Sequence, residues 1–423
     1  MWGPALLRPR PGGRLPGVTA RETLARDARV IALLSSGHFL SHFFQLALPP
    51  LFPILKDELG VGYVGLGLVM SVFYVASGVA QTVSGFLVDH FGARRVLLGG
   101  VTLLSGSMAL VGCAGSYATM LPLMALAGLG NSVFHPADFA IFNASIARGR
   151  LGRAYGVHGV SGNLGSVLGP LVVVGLTALF GWRAALLITG VGGLGVAVLL
   201  AGQGRLLADH RAETAEAGVR PGLAGNVRFL LATPIVMAFA YFTLSATSTS
   251  GLHTFSVSAL VAIYETSLAL ATGALTAYLL GNAAGILLGG IVADRTSRHD
   301  LVASAGMFLG AVLAASIGTG APAAAAVPVL MALIGFCKGG TAPSRDLLVR
   351  AASPVRASGK VFGFVYSGLD LGAAVTPLVF GWLLDRGEPR MIFTVAAGLM
   401  LVTIVTLLQV RRASLPAPAR EGA

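Results

Sequence analysis

The sequence predicts an all-α, polytopic membrane protein with twelve transmembrane helices in two pseudo-symmetric six-helix bundles. Three observations carry that expectation. Of 423 residues, 55% are hydrophobic and 11% are charged. That is less than half the ~25% charge of a soluble domain, so a water-facing surface of this size cannot be built. The apolar residues come in stretches of the ~20 residues that cross a bilayer. Finally, the second half of the chain repeats the first in register. The 58 glycines follow no Gly-X-Y period, and the apolar content is far above that of a disordered chain.

In chain order, residues 1–29 are a basic tail rich in Arg, Pro and Gly, without the apolar core of a cleaved signal. Six spans follow at 30–54, 64–89, 94–115, 118–146, 154–179 and 183–203, giving a first bundle over 30–203. A polar linker, 204–228, leads to spans at 229–256, 266–293, 301–320, 324–350, 361–384 and 390–410. These form a second bundle over 229–410, and residues 411–423 are a closing tail. Charged groups punctuate the spans. Arg29 precedes the first, Arg94 and Arg95 open the third, and Arg148, Arg150 and Arg153 separate the fourth from the fifth. Arg183 opens the sixth, Arg295 and Arg298 follow the eighth, and Arg386 and Arg390 flank the last turn between spans. Each span is read as a single crossing, and Gly251 is expected to interrupt the seventh.

The formal net charge is +12. Of the 29 Lys and Arg, 24 fall on the side of the termini and four (Lys56, Arg183, Arg386, Arg390) on the other, with Lys338 inside a span. The positive-inside rule then puts both termini in the cytoplasm of a cell (inner) membrane protein. The basic balance is topology, and no nucleic-acid partner is expected. Cys113 and Cys337 lie singly inside apolar helices, which argues against a disulfide framework or a Cys-rich metal site.

A shift of 207 residues superposes Gly128 on Gly335, Pro136 on Pro343, Asn163 on Asp370, Gly165 on Gly372 and Pro170 on Pro377, without a gap. A parallel, in-frame match between six-span halves implies bundles related by an axis along the membrane normal.

Between spans two and three, Gly85-Phe86-Leu87-Val88-Asp89-His90-Phe91-Gly92-Ala93-Arg94-Arg95 resembles the signature of the major facilitator superfamily, with His90 at its first basic position. A shorter copy, Gly290-Ile291-Val292-Ala293-Asp294-Arg295, follows the eighth span. The glycines would let a neighbouring helix approach, and the Asp and Arg residues would latch the cytoplasmic side. Gly165-Ser166-Val167-Leu168-Gly169-Pro170 resembles the Gly-Pro motif of antiporter branches, placing Gly165, Gly169, Pro170 and its mate Pro377 as packing and bending positions. Gly128-Leu129-Gly130-Asn131-Ser132-Val133-Phe134-His135-Pro136, with His38-Phe39 and Leu48-Pro49-Pro50-Leu51-Phe52-Pro53, resembles the fosmidomycin-resistance-type exporters. That resemblance implies an inner-membrane exporter of small polar compounds working in exchange for protons.

Ionisable and amide residues inside spans are costly in hydrocarbon and mark a pathway. His38, His42 and Gln45 share a side of the first span, and Asn131, His135 and Asp138 stack along the fourth, with His135 and Asp138 close enough to touch. Either pair could handle protons or could simply fix packing. His38 and His42 also have metal-pair spacing, yet no carboxylate or Cys accompanies them, so no metal is expected. In the second half Lys338 is the mate of Asn131 and Asp370 the mate of Asn163; a Lys338–Asp370 ion pair is the expectation. Arg345 and Asp346 would brace the inner gate. The seventh span, with Ser245, Thr249, Ser250 and His253, suits a water-lined face.

No Gly-Lys-Ser/Thr phosphate loop is present, so no cofactor is expected and transport must run on gradients. The expectation is a monomeric, proton-coupled transporter in the lipid bilayer, exporting a small polar or anionic molecule. Import of a carboxylate by proton symport is the alternative. A non-transporting sensor is disfavoured by the short tails, and an enzyme by the absence of a nucleophile–base constellation.

Overall fold

The structure, a computed structural model, describes residues 20–146, 150–207, 233–352 and 358–414. The start of the basic tail, most of the linker and the end of the closing tail lie outside the described residues. The first half comprises α1 (Ala20–Gln45), α2 (Phe52–Leu59), α3 (Tyr63–Phe91), α4 (Ala93–Gly112), α5 (Tyr117–Asn131), α6 (Phe134–Ser145) and α7 (Leu151–Gly202). The second comprises α8 (Thr233–Tyr264), α9 (Leu268–Arg295), α10 (His299–Thr319), α11 (Val327–Ala352), α12 (Ser358–Asp385) and α13 (Arg390–Ser414).

Among the described residues, 11 helical stretches are long and apolar enough to cross a membrane. One of them, the 52-residue α7, would run about 78 Å at 1.5 Å per residue, more than twice the hydrocarbon thickness. Gly181, with φ 81° and ψ 158°, breaks it in the middle. It therefore makes two crossings, and the total is twelve.

The halves pack alike. In the first, α1 and α4 lie on α7, and α5 lies on α3 and α4; in the second, α8 lies on α12 and α13, and α11 lies on α9 and α10. The repeat reaches individual contacts. A Cβ on Gly128 would collide with the Phe73 carbonyl, and one on Gly335 with the Tyr278 carbonyl. Likewise Gly165 sits under the Phe39 carbonyl and Gly372 under that of Thr243. In each case a side chain would push two helix backbones apart, so the glycines that align in sequence do the same packing in both halves.

Three local expectations are corrected. The first span is not one helix: Pro49, Pro50 and Pro53 force a turn and a short 3-10 segment between α1 and α2. The fourth span is broken at Ser132–Val133, where Pro136 has no N–H to offer the Ser132 carbonyl. The seventh is continuous through Gly251, whose missing side chain makes room for the ring of Phe380.

The bundles meet through α3 with α12 and through α7 with α9. Glycines along α3 measure how the first pair diverges. A Cβ on Gly67 would strike the Pro377 carbonyl, one on Gly78 would lie 3.5 Å from Asp370, and one on Gly85 would meet nothing within 4 Å. Among the described residues the helices therefore close on the face opposite the termini and splay on the face that bears them. The closed face is pinned by Asp385, at the end of α12, which accepts hydrogen bonds from the backbone N–H of Tyr63 (2.6 Å) and Val64 (2.8 Å) at the start of α3.

Candidate functional site

A cavity of about 360 Å³ lies between the bundles. Gln45 of α1 and Tyr74 of α3 contribute from the first half; Ser245, Thr249, Ser250 and His253 present the hydroxyl-rich side of α8, and Lys338 and Arg345 reach in from α11. Lys338 is 7% exposed. Its ammonium donates to the backbone carbonyl of Ser245 at 3.0 Å, and no ion pair includes it among the described residues. Arg345 was expected at the inner gate but lines this cavity, with its guanidinium 4.6 Å over the Phe242 ring and its Nε donating to Asp346 at 2.9 Å.

The expected Lys338–Asp370 ion pair is absent. Asp370 is exposed on α12 and lies against Gly78 of the other bundle, whereas Lys338 turns toward α8 within its own. Their mates behave likewise: among the described residues Asn163, which is exposed, donates only to the Gly159 carbonyl of its own helix, at 3.2 Å. The pseudo-symmetry is real, but spans four and five, and ten and eleven, do not bring these positions together.

Asn131 ties three helices of the first bundle. Its Oδ1 accepts from Ser41 Oγ at 2.6 Å and from Gln45 Nε2 at 3.5 Å, and its Nδ2 donates to Ser77 Oγ at 2.9 Å. Asn131→Ala is expected to cost about 1–3 kcal/mol, read as a lower unfolding temperature of the purified protein. An unchanged temperature would mean the network contributes nothing.

Beside the cavity the first bundle holds a histidine cluster between α1, α6 and α7. His38 stacks on His158 with ring centroids 3.9 Å apart, and its Nε2 lies 3.2 Å from Nε2 of His42. His135 is exposed, its ring 5.5 Å from that of His38. A Cβ on Gly162 would fall 2.8 Å from the His42 ring and 2.9 Å from that of His38, so the glycine makes the space the two imidazoles occupy. Asp138 is fully buried, and its ionic partner is His158, with Oδ2 to Nε2 at 3.3 Å. This corrects the expected contact with His135. Three residues on one helix are neighbours in principle, yet here Asp138 points into the bundle while His135 faces outward.

Sequence reading passed over His158 and Asp385. His158 lies close behind the basic flank at Arg153, and its depth was therefore underrated. Asp385 carried a usable signal: it is the last residue of a helix, where the dipole disfavours a carboxylate. Such a residue is stabilised by facing another helix's N-terminus.

On the splayed face, Asp89, Arg95, Asp294 and Arg295 are exposed, and neither aspartate has a hydrogen bond or ion pair among the described residues. Arg94 packs its guanidinium on Gly204, just beyond α7. Among the described residues Gly85 and Gly290 have no neighbour within 4 Å of a built Cβ, so the expected close approach is not seen there. Instead a cavity of about 430 Å³ separates Gly85 and Asp89 from Pro136 and Ala140 of α6. Further in, Gly165 and Gly169 seat α7 against the Phe39 and Phe43 carbonyls, and Pro170 and Pro377 stand inside their helices.

Comparison with known proteins agrees with this architecture. The chain is 26% identical over 406 residues to the fosmidomycin resistance protein of Escherichia coli, covering 92% of this chain and 95% of that one. It is also 26% identical over 395 residues to the probable sulfoacetate transporter SauU of Cupriavidus necator, covering 88% and 90%. Among solved structures, a mutant of the nucleoside transporter NupG superposes with a TM-score of 0.75 at 13% identity, over 90% of this chain and 99% of that one. A bacterial homologue of the human lysosomal transporter Spinster, inward-facing and occupied, gives 0.72 at 14% identity, over 92% and 96%. The sequence pattern of the Major Facilitator Superfamily matches residues 34–275 and 247–423. With twelve crossings, duplicated glycine contacts and a cavity between two bundles, the chain belongs to the Major Facilitator Superfamily.

Proposed function

We propose that the protein exports a small anionic organic molecule in exchange for protons, by alternating access around the cavity that holds Lys338. The observation that carries this reading is the Lys338 ammonium: buried, bonded to a neutral carbonyl and without a carboxylate partner among the described residues. A buried cation without a counter-charge is costly, and an anionic ligand entering the cavity would offset that cost. Arg345 adds a second cation two turns along the same helix. The similarity to a probable sulfoacetate transporter supports the anionic class, and that to a fosmidomycin resistance protein supports the outward direction.

In this reading both termini are cytoplasmic in the inner membrane, as the distribution of Arg and Lys favours, and the splayed face opens to the cytoplasm. Asp89 with Arg94 and Arg95, and Asp294 with Arg295, would latch that face when it closes. Energy comes from ion gradients rather than from a chemical reaction on the substrate.

The test is reconstitution of the full chain into liposomes loaded with a pH-sensitive dye. Fosmidomycin and sulfoacetate are the probes. Addition of a transported anion should move protons in the opposite direction, and raising the pH gradient should speed transport. Co-directional movement of probe and proton would replace export with symport. Movement of either probe without a proton response would overturn the coupling.

A further inference from the structure

We propose that the coupling proton binds apart from the substrate cavity, in the first bundle, where Asp138 and His158 share it, with His38 and His42 packed between that pair and the cavity side of α1. The proposal rests on the proton-coupled reading above and assigns that coupling a place.

Hydrogen-bond chemistry fixes the direction of the connection. The His158 carbonyl can only accept, so Nδ1 of His38, 3.3 Å from it, carries a hydrogen. In neutral His38 the Nε2 is then an acceptor, and its hydrogen comes from Nε2 of His42 at 3.2 Å. That leaves Nδ1 of His42 to accept from Ser166 Oγ at 3.4 Å. The chain is thus polarised from Ser166 through His42 to His38. A proton arriving at Nδ1 of His42 can displace the shared Nε2 hydrogen onto His38, where the hydrogen-bonded chain ends; the last transfer, to the Asp138–His158 pair, needs a turn of the His38 or His158 ring, because the two are stacked and share no ring hydrogen bond. Gln45, one turn beyond His42 on the same helix, lines the cavity, so the chain starts about one helical turn from it.

The other end explains why a proton would be held. Among the described residues, both oxygens of Asp138 are buried and neither accepts a hydrogen bond, and both ring nitrogens of His158 are buried without a hydrogen-bond partner as well. Only the 3.3 Å contact joins them. A bare carboxylate there would be a lone buried charge. One proton removes it, whether it sits on the acid or makes an imidazolium beside a carboxylate. The titratable groups around the pair are His38 and His42 of α1, His135 of α6 and Tyr155 of α7, whose hydroxyl is engaged by Asn143 at 3.2 Å. Among the described residues no Lys or Arg makes an ion pair with Asp138.

Release therefore requires water or a new donor to reach Asp138. Asp138 rides on α6, set off from α5 at Ser132–Val133, where the backbone stays right-handed helical but Pro136 leaves the Ser132 carbonyl without its helical N–H. The repeat-related Pro343 lies within the uninterrupted α11, so the local bonding differs between the halves at this point. A proton bound in the closed pair and lost when α6 shifts ties protonation to conformation, which is what exchange requires.

Infrared difference spectra of the purified full chain across a pH change test the site without any substrate. The C=O stretch of a buried carboxylic acid is expected, lost in Asp138→Asn and displaced in His158→Gln. A band that persists in Asp138→Asn, no such band in the wild type together with no imidazolium signal from His158, or a His158→Gln spectrum identical to the wild type would overturn the proposal. In liposomes, Asp138→Asn should lose the roughly tenfold or greater acceleration by a pH gradient while probe-for-probe exchange persists, which also shows that the variant folds. Retained acceleration would overturn the site. If the wild type moves neither fosmidomycin nor sulfoacetate, the substrate reading fails and the infrared arm still decides the proton site.

Discussion

Replacing Lys338 with alanine is expected to weaken binding of an anionic substrate severely while leaving the fold intact. Removing one partner of a buried charge pair costs about 2–5 kcal/mol, a loss of roughly 30-fold to a few thousand-fold in affinity. Little else should change. The Ser245 carbonyl, which Lys338 engages at rest, also accepts from Thr249 Oγ1 at 2.8 Å, so no buried acceptor is orphaned. Isothermal titration or radiolabelled counterflow with fosmidomycin and sulfoacetate reads the effect. Lys338→Arg should recover part of it, because a guanidinium keeps the charge with different reach. Anion transport that survives Lys338→Ala unchanged would remove Lys338 from the site and return it to helix packing.

Asp385→Ala should release the closed face. Its carboxylate spans the two bundles and satisfies two N–H groups at the start of α3, where the helix dipole favours a negative charge. Because these bonds are solvent-exposed, we expect about 1–2 kcal/mol from them together, enough to shift the balance between closed and open about five- to thirtyfold. Spin labels on cysteines at Asp57 and Glu388, both exposed on this face, would report it after Cys113 and Cys337 are replaced by serine. A longer inter-label distance gaining population in Asp385→Ala is the expected result. An unchanged distribution would mean that the Gly67–Pro377 contact and its neighbours close the face unaided.

The number of crossings, their order and the internal repeat were legible in the sequence because each rests on short-range physics: apolar run length, charge at the flanks, and glycine where helices touch. The breaks in the first and fourth spans had visible prolines, but hydropathy averages over a single turn and could not register them. Side-chain partnership was harder. Lys338 and Asp370 stand out as charges inside spans, yet the direction each points depends on helix rotation, which repeat symmetry alone does not supply. Asp138 was noticed and given the wrong histidine for the same reason. Along one helix only intrahelical neighbours can be derived, and the true partner His158 comes from α7. The Asp385 cap joins residues more than three hundred positions apart, and only the fact that its helix ends there hinted at it.

The cavity draws most of its wall from the second bundle, with Gln45 and Tyr74 the contributions of the first. That lopsidedness makes the molecule modular in inheritance. Drift in α8, α9 and α11 can retune which compound is carried while the histidine-bearing half stays as it is. Chimeras that join residues 20–207 of this chain to the second half of a relative should take their substrate preference from the relative.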